Sequence, residues 1–178
     1  MTVTHDASPP VASKPKPWSV AYEWWESLRA RGDSATLARL RRSDPVSCLA
    51  EPGLLALYRK MGSAGYDERR LRNAARIALV LAHVRRPDRR QSFARALGPS
   101  AATADDGKLK RIRMQALLKA ETEDEIIRAF RRAVDILDRE ANVEDLARVL
   151  ATWDHEQTRM RFAFDYFNAR HAAPGEGD

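Results

Sequence analysis

Apolar residues recur at spacings of three and four through most of the chain, as in amphipathic helices that bury one face. No run alternates apolar and polar residues like a half-buried strand, so no sheet is predicted. The pattern predicts about seven helices, covering residues 18–30, 34–44, 52–61, 67–85, 108–119, 122–137 and 143–169, with a short turn at SFARALG (92–98). We therefore expect an all-α fold.

Polar segments rich in proline, glycine and serine divide the chain. Residues 1–17 and 171–178 show no apolar periodicity, which predicts a flexible tail at each end. The stretch PSAATADDG (99–107) predicts a mobile loop between helices. We therefore predict two small packed helical bundles, an N-terminal one over 18–98 and a C-terminal one over 108–170.

Capping residues mark two helix starts, and periodicity assigns the faces of the longest basic helix. Asp33 or Ser34 is expected to cap the second helix. Thr122 followed by Glu125 is a capping box, in which each side chain binds the other residue's backbone N–H. In the 67–85 helix, Ile77 and its apolar neighbours are predicted to face inward. Three arginines are predicted to face outward: Arg69, Arg72 and Arg76.

Charge and cysteine content narrow the possible partners. The chain carries 31 Lys+Arg against 25 Asp+Glu, a formal charge of +6, which favours a polyanion such as nucleic acid or a membrane surface. Cys48 is the only cysteine, so an internal disulfide and a multi-cysteine metal site are excluded, and a reducing cytoplasm is expected. No apolar run is long enough to span a bilayer. We expect a soluble cytoplasmic protein with no membrane partner.

Motifs that carry catalysis are missing from the sequence. The glycines form neither a phosphate-binding loop nor a dinucleotide-binding turn. His155-Glu156 begins like the helical zinc protease motif, but position 159 holds arginine where the second histidine ligand belongs. Acidic pairs fit turns and helix starts, where negative charge is stabilising. The sequence therefore predicts a protein that is not an enzyme, with no catalytic residue, metal site, cofactor or small-molecule substrate.

Basic clusters are the main positive feature, and arginine dominates them. A guanidinium group binds phosphate through two parallel hydrogen bonds, which suits contact with a nucleic-acid backbone. A solvated, salt-bridged helix face is the alternative for each cluster. Arg41 and Arg42 close a helix, where the dipole favours cations, whereas Lys110 and Arg111 open one, where it opposes them. Helix stability alone therefore does not explain the second cluster.

The order of several segments resembles a known family. YEWWESL, LARLRRSDP, LLALYRKM, QSFARALG, RIRMQALLKA, AFRRAV and DLARVLATWDHEQTRMRFAFDYF follow one another between residues 18 and 169. This series resembles the CasB-type small subunit of the type I-E CRISPR Cascade complex. The resemblance implies a non-enzymatic, all-helical antiviral protein that lies as a head-to-tail pair beside other Cascade subunits. Its implied ligands are the CRISPR RNA, the target DNA and the displaced DNA strand.

The same resemblance implies which side chains bind the nucleic-acid backbone. They are Arg41, Arg42, Arg70, Arg89, Arg90, Lys110, Arg111, Arg113, Arg131, Arg132 and Arg159. Asp154-His155-Glu156 departs from the family's basic tendency after Trp153, so these residues are left out. Two other classes stay open: a helix-turn-helix regulator that binds duplex DNA, and a helical adaptor that binds only proteins.

Overall fold

The computed structural model describes residues 17–62, 65–100 and 107–169. In these ranges the chain forms nine α-helices: α1 (Pro17–Ala30), α2 (Ser34–Arg42), α3 (Pro52–Lys60), α4 (Glu68–Leu81), α5 (Phe93–Leu97), α6 (Arg111–Leu118), α7 (Glu123–Ile136), α8 (Val143–Thr152) and α9 (Glu156–Phe167). A 3-10 turn covers Ser47–Ala50, and the two-residue strands β1 (Arg86–Pro87) and β2 (Glu140–Ala141) pair in parallel. The all-α prediction is confirmed.

Three predicted segments fall largely outside the described residues. These are the two tails, apart from Pro17, which begins α1, and positions 101–106 of the predicted loop. Buried apolar residues from both sides of that loop form one contiguous core. Helix α8 packs against α1 and α4, and α9 packs against α5. The division into bundles at 18–98 and 108–170 stays a prediction.

Two tryptophans of α1 anchor the first half of the core. Trp24 and Trp25 are buried, and each indole N–H donates to a distant backbone carbonyl. Trp24 Nε1 lies 2.8 Å from the Gly53 oxygen, and Trp25 Nε1 lies 3.3 Å from the Val84 oxygen. Both rings thus bury large apolar areas while their polar atoms remain satisfied. These bonds tie α1 to the start of α3 and the end of α4.

An aromatic cluster joins α5, α7, α8 and α9. Phe130 lies edge-on to Trp153 with ring centroids 4.9 Å apart, and Trp153 lies edge-on to Phe162 at 5.4 Å. Phe93 completes the cluster, with its ring centroid 6.1 Å from that of Phe130. The Phe130–Trp153 and Trp153–Phe162 pairs are edge-to-face, an arrangement that the ring quadrupoles favour. The cluster fixes where the last two helices lie.

The two helix starts predicted from capping residues agree with the structure. The Asp33 side chain accepts a hydrogen bond from the Thr36 N–H at 3.0 Å at the start of α2. Thr122 and Glu125 form both bonds of the capping box at the start of α7. These signals are local, since the side chains bind backbone groups within three residues.

The prediction of one continuous helix over 143–169 is wrong. Helix α8 ends at Thr152, and α9 begins at Glu156 after an extended His155. At the break Trp153 enters the aromatic core, while an Asp154 carboxylate oxygen lies 3.1 Å from an Arg76 nitrogen. These tertiary contacts override the apolar spacing that continues through the break. Together with SFARALG, which forms helix α5 rather than a turn, the break raises the helix number from about seven to nine.

The prediction that Arg76 faces outward is also wrong. Its side chain is 1% exposed, and its guanidinium group binds the carboxylates of Glu123 and Asp154 and the Leu150 carbonyl. The carboxylates come from α7 and from the break after α8, far along the chain. A charge buried in this way is paired, as burial requires.

Candidate nucleic-acid interface

Four arginines cluster where α1, α2 and α4 end. The cluster, here called the arginine cluster, consists of Arg29, Arg41, Arg42 and Arg85. Three of them line a cleft of about 310 Å³ together with Ser34 and Leu37. Throughout the described ranges, none of the four guanidinium groups forms an ion pair. The cleft therefore presents positive charge that no carboxylate balances.

The environment of Arg41 shows that packing these arginines together is electrostatically unfavourable. Its Nε donates to the Ala82 carbonyl at 2.9 Å, which holds the guanidinium group against the end of α4. Burial lowers the pKa of Arg41, and the charges of Arg85, Arg139, Arg29 and Arg42 lower it further. Like charges packed together disfavour the protonated form of each other. An anionic ligand in the cleft would relieve this repulsion.

A second basic surface lies along α6. Lys110 occupies the N-cap position without a side-chain capping bond, and Arg111 and Arg113 in the first turn are exposed. Between α6 and α7 runs a groove of about 480 Å³, here called the α6–α7 groove. It is lined by Leu109, Arg113, Ala116, Leu117, Lys119, Ala120, Glu125, Arg128, Ala129 and Arg132.

Six of the predicted side chains are exposed and form no ion pair within the part of the chain that the structure describes. They are Arg42, Arg89, Lys110, Arg111, Arg113 and Arg132. Arg89 lies over the Tyr22 ring, 4.4 Å from its centroid, in a cation–π contact. This contact leaves the guanidinium charge unbalanced. These six side chains are available to phosphate.

Two predicted side chains are paired with carboxylates. Arg90 binds both Asp88 oxygens, at 2.8 and 3.0 Å, and lies 3.6 Å from Glu140. The hydrogen bond to Asp88 and its charge raise the pKa of Arg90. Arg70 lies 3.3 Å from an Asp67 oxygen and 3.3 Å from the Gly62 carbonyl. Phosphate would have to compete with these carboxylates.

Two further predicted side chains are used by the fold. Arg131 donates to the carbonyls of Leu79, Leu40 and Ser43 at 3.1 to 3.2 Å, which ties α7 to α2 and α4. Burial lowers the pKa of Arg131. Arg159 donates to the Trp153 carbonyl at 3.3 Å across the break between α8 and α9. Which of the eleven predicted residues contact nucleic acid stays a prediction.

A comparison with family models identifies the relatives of this chain. The model of the family described as CRISPR-associated protein Cse2 matches residues 36–167, most of the chain. The chain belongs to the Cse2 family. This confirms the family resemblance seen in the sequence. The match covers α3 through α9 and nearly all of α2.

A solved structure shows that the fold of this Cse2 family member recurs elsewhere. A chain in the crystal structure of E. coli Cascade bound to a PAM-containing double-stranded DNA target superposes with a TM-score of 0.65. It is 21% identical, and the match covers 86% of this chain and 95% of that chain. A comparison with curated protein sequences gave no significant match. At this identity, the structural match supports the fold.

Sequence reasoning on this Cse2 family member did not select four of the basic residues found here. Arg29 and Arg85 complete the arginine cluster, and Lys119 and Arg128 line the α6–α7 groove. Arg29 precedes a helix end, and Arg85 follows one. The sequence alone does not show that the ends of α1, α2 and α4 lie close together, so neither arginine could be assigned to the cluster. Arginines near helix C-termini are the signal that would have included Arg29.

Other kinds of site were sought in the same residues. Among the described residues, no group of three or more His, Cys, Asp and Glu side chains is placed to hold a metal ion. None of the helices described has the length and apolar character to span a membrane.

Burial lowers the pKa of His83 to about 4, with Arg131 adding to the shift, so this imidazole is neutral near pH 7.

Proposed function

We propose that this protein is a non-catalytic small subunit of a cytoplasmic type I-E Cascade complex. It holds the backbones of the guide RNA, the target DNA and the displaced DNA strand. Membership of the Cse2 family supports the assembly. The structural match to a chain of DNA-bound E. coli Cascade supports the same assignment, because that complex contains both other subunits and nucleic acid.

The arginine cluster is the observation that carries nucleic-acid binding. Four guanidinium groups gather where α1, α2 and α4 end, three of them line one cleft, and within the described residues no carboxylate pairs with them. Several arginines elsewhere are paired with carboxylates: Asp88 holds Arg90, and Asp135 holds Arg139 at 2.9 Å. An unbalanced cluster lowers the stability of the free protein, so binding a polyanion is a sufficient reason for it.

The charge pattern also indicates how such a subunit would work. In guided complexes base pairing between guide and target reads the sequence, while the protein binds backbone and stabilises the displaced strand. Guanidinium groups that bind phosphate do not distinguish bases. This protein therefore contributes affinity that is independent of sequence and decreases with salt, with a slope of roughly −0.7 to −0.9 per phosphate contacted.

The experiment measures binding across a salt series. Fluorescence anisotropy would follow labelled single-stranded DNA, single-stranded RNA and duplex DNA of unrelated sequences with wild type and the Arg42→Ala/Arg85→Ala variant. The variant should bind every ligand more weakly, and its log–log salt slope should be shallower by about 1.4 to 1.8, two contacts' worth. Arg59→Ala/Arg69→Ala is the matched control, because it removes the same charge from exposed positions outside the cluster.

The outcomes separate the three classes of function. Sequence-independent, salt-dependent binding that decreases only in the cluster variant supports the proposal. Preference for one duplex sequence would indicate a regulator instead. Absence of binding, together with no co-purification when the chain is expressed with the other Cascade subunits and guide RNA, would contradict the proposal and leave the protein-only adaptor.

We also propose that two copies lie head to tail in the complex. Helix α9 exposes an apolar stripe of Met160, Phe164 and Phe167, one helical turn apart. A different exposed apolar patch includes Val46 and Tyr66, which are 75% and 81% exposed. Two unlike patches suit a heterologous contact, in which one end of a copy meets the other end of the next. Native mass spectrometry of complexes with Phe164→Glu should show fewer copies; unchanged copy number would contradict this arrangement.

A further inference from the structure

The α6–α7 groove has a lining that phosphate contact alone does not explain. Its floor is apolar, formed by Leu109, Leu117 and three alanines, Ala116, Ala120 and Ala129. Its volume of about 480 Å³ falls in the range of sites that enclose small molecules, about 300 to 1,000 Å³. A surface that bound only phosphates would need cations but no apolar floor.

Charges on the rim of the groove are mostly positive. Arg113 and Lys119 stand on the α6 side and Arg132 on the α7 side, and in the described ranges none of the three forms an ion pair. Arg128 is held by Asp124 at 2.9 Å. The Glu125 carboxylate accepts backbone N–H groups of Thr122 and Glu121, which lower its pKa. Three free cations therefore outweigh one carboxylate already engaged with the helix start.

We infer that the α6–α7 groove binds unpaired nucleobases, with the phosphates on either side of them held by the rim cations. This rests on the proposed function and adds that this surface selects single strands. A duplex keeps its base faces stacked inside and offers only its backbone to an apolar floor. A single strand can turn its bases outward and bury them, and guanidinium planes also stack on bases.

The experiment compares two single strands with the same backbone. One carries thymine throughout, and the other replaces the central bases with abasic sites, so both have the same phosphate charge. Wild-type full-length protein should bind the thymine strand about 3-fold or more tightly, since its bases can be buried against the apolar lining and can stack on a guanidinium plane.

A variant tests whether the groove is the source of this preference. Ala116→Leu/Ala129→Leu narrows the groove without changing charge, and leucine preserves helix propensity. The ratio of thymine-strand to abasic-strand affinity should fall to about one. Ala56→Leu, an exposed alanine of α3 that does not line the groove, should keep the wild-type ratio. Circular dichroism of all three proteins controls for folding.

Each remaining outcome is informative. Equal, salt-dependent affinity of wild type for both strands would overturn the groove inference while leaving the proposed function intact. A thymine preference that survives in the narrowed variant would also overturn it. If wild type binds none of the strands and does not co-purify with the other Cascade subunits and guide RNA, the proposed function itself is overturned. If an acidic amphipathic peptide binds wild type but not the narrowed variant, and neither strand competes with it, the groove is a protein-docking site instead.

Discussion

The buried Arg76 gives the sharpest stability prediction, because its charge depends on carboxylates from two other parts of the chain. Its Nε lies 3.0 Å from one Glu123 oxygen, and its Nη2 binds the other. Nη2 also lies 3.1 Å from Asp154, and Nη1 donates to the Leu150 carbonyl at 3.0 Å. The change to make is Glu123→Gln, which keeps the shape of the side chain and removes its charge.

The magnitude follows from how deeply each partner is buried. Arg76 is 1% exposed, Glu123 27% and Asp154 57%. Removing one partner of a buried ion pair costs about 3 to 5 kcal/mol. Because Glu123 is partly exposed and Asp154 remains, we expect Glu123→Gln to lower the free energy of unfolding by about 2 to 3 kcal/mol. Asp154→Asn should cost less than about 1 kcal/mol, as exposed pairs do.

Urea denaturation followed by far-UV circular dichroism measures these differences near neutral pH. The double variant Arg76→Met/Glu123→Gln is the decisive control, since it removes both charges and keeps apolar volume. It should be more stable than Glu123→Gln alone, because no unpaired buried charge remains. The reasoning is refuted if Glu123→Gln costs no more than Asp154→Asn, or if the double variant is the less stable of the two.

Three further predictions each concern one buried or constrained residue, and the midpoint of urea denaturation tests each of them. Burial lowers the pKa of His83 from 6.5 to about 4, so the unfolded protein binds a proton more tightly at this imidazole than the folded protein does. The free energy of unfolding should therefore decrease as the pH falls from 6.5 toward 4, and His83→Leu should flatten that dependence. A Cβ at position 98 would lie 2.2 Å from the Tyr166 carbonyl oxygen, so Gly98→Ala should cost about 2 kcal/mol; Gly65→Ala, with open space around it, should cost far less. Arg131→Met should cost about 2 kcal/mol through its lost carbonyl bonds, whereas an equal loss in Arg132→Met would contradict this.

Helix starts could be predicted from sequence because their determinants are local. The Thr122–Glu125 capping box and the Asp33 cap both bind backbone within three residues. The break between α8 and α9 has no such signal, since apolar spacing continues through it. What breaks the helix is tertiary: Trp153 packs against Phe130 of α7 and against Phe162 of α9. The hydrophobic pattern records which residues are buried, but not where a helix must turn to bury them.

The basic site was predicted less well than the fold, for a related reason. Periodicity placed Arg72 and Arg76 on one outward face, yet Arg72 is half exposed and Arg76 is buried. The difference lies in Glu123 and Asp154, which tertiary structure brings to Arg76. Arg131 likewise donates its guanidinium hydrogen bonds to backbone carbonyls of α2 and α4. An arginine in a sequence shows that a cation is present, but only its neighbours decide whether phosphate can reach it.

The arrangement of pairs matters more here than the net charge. A formal charge of +6 over 178 residues is a modest excess, and spread evenly it would produce no strong local field. Ion pairs decide where this charge is left uncompensated: carboxylates hold Arg76, Arg90 and Arg139, whereas Arg42 and Arg85 have none among the described residues. The uncompensated charge therefore lies on particular surfaces, and the arginine cluster is the one where α1, α2 and α4 bring four guanidinium groups together. Moving one carboxylate toward the cluster, by Ser34→Glu at the cleft, should weaken nucleic-acid binding more than the same substitution at a distant exposed serine.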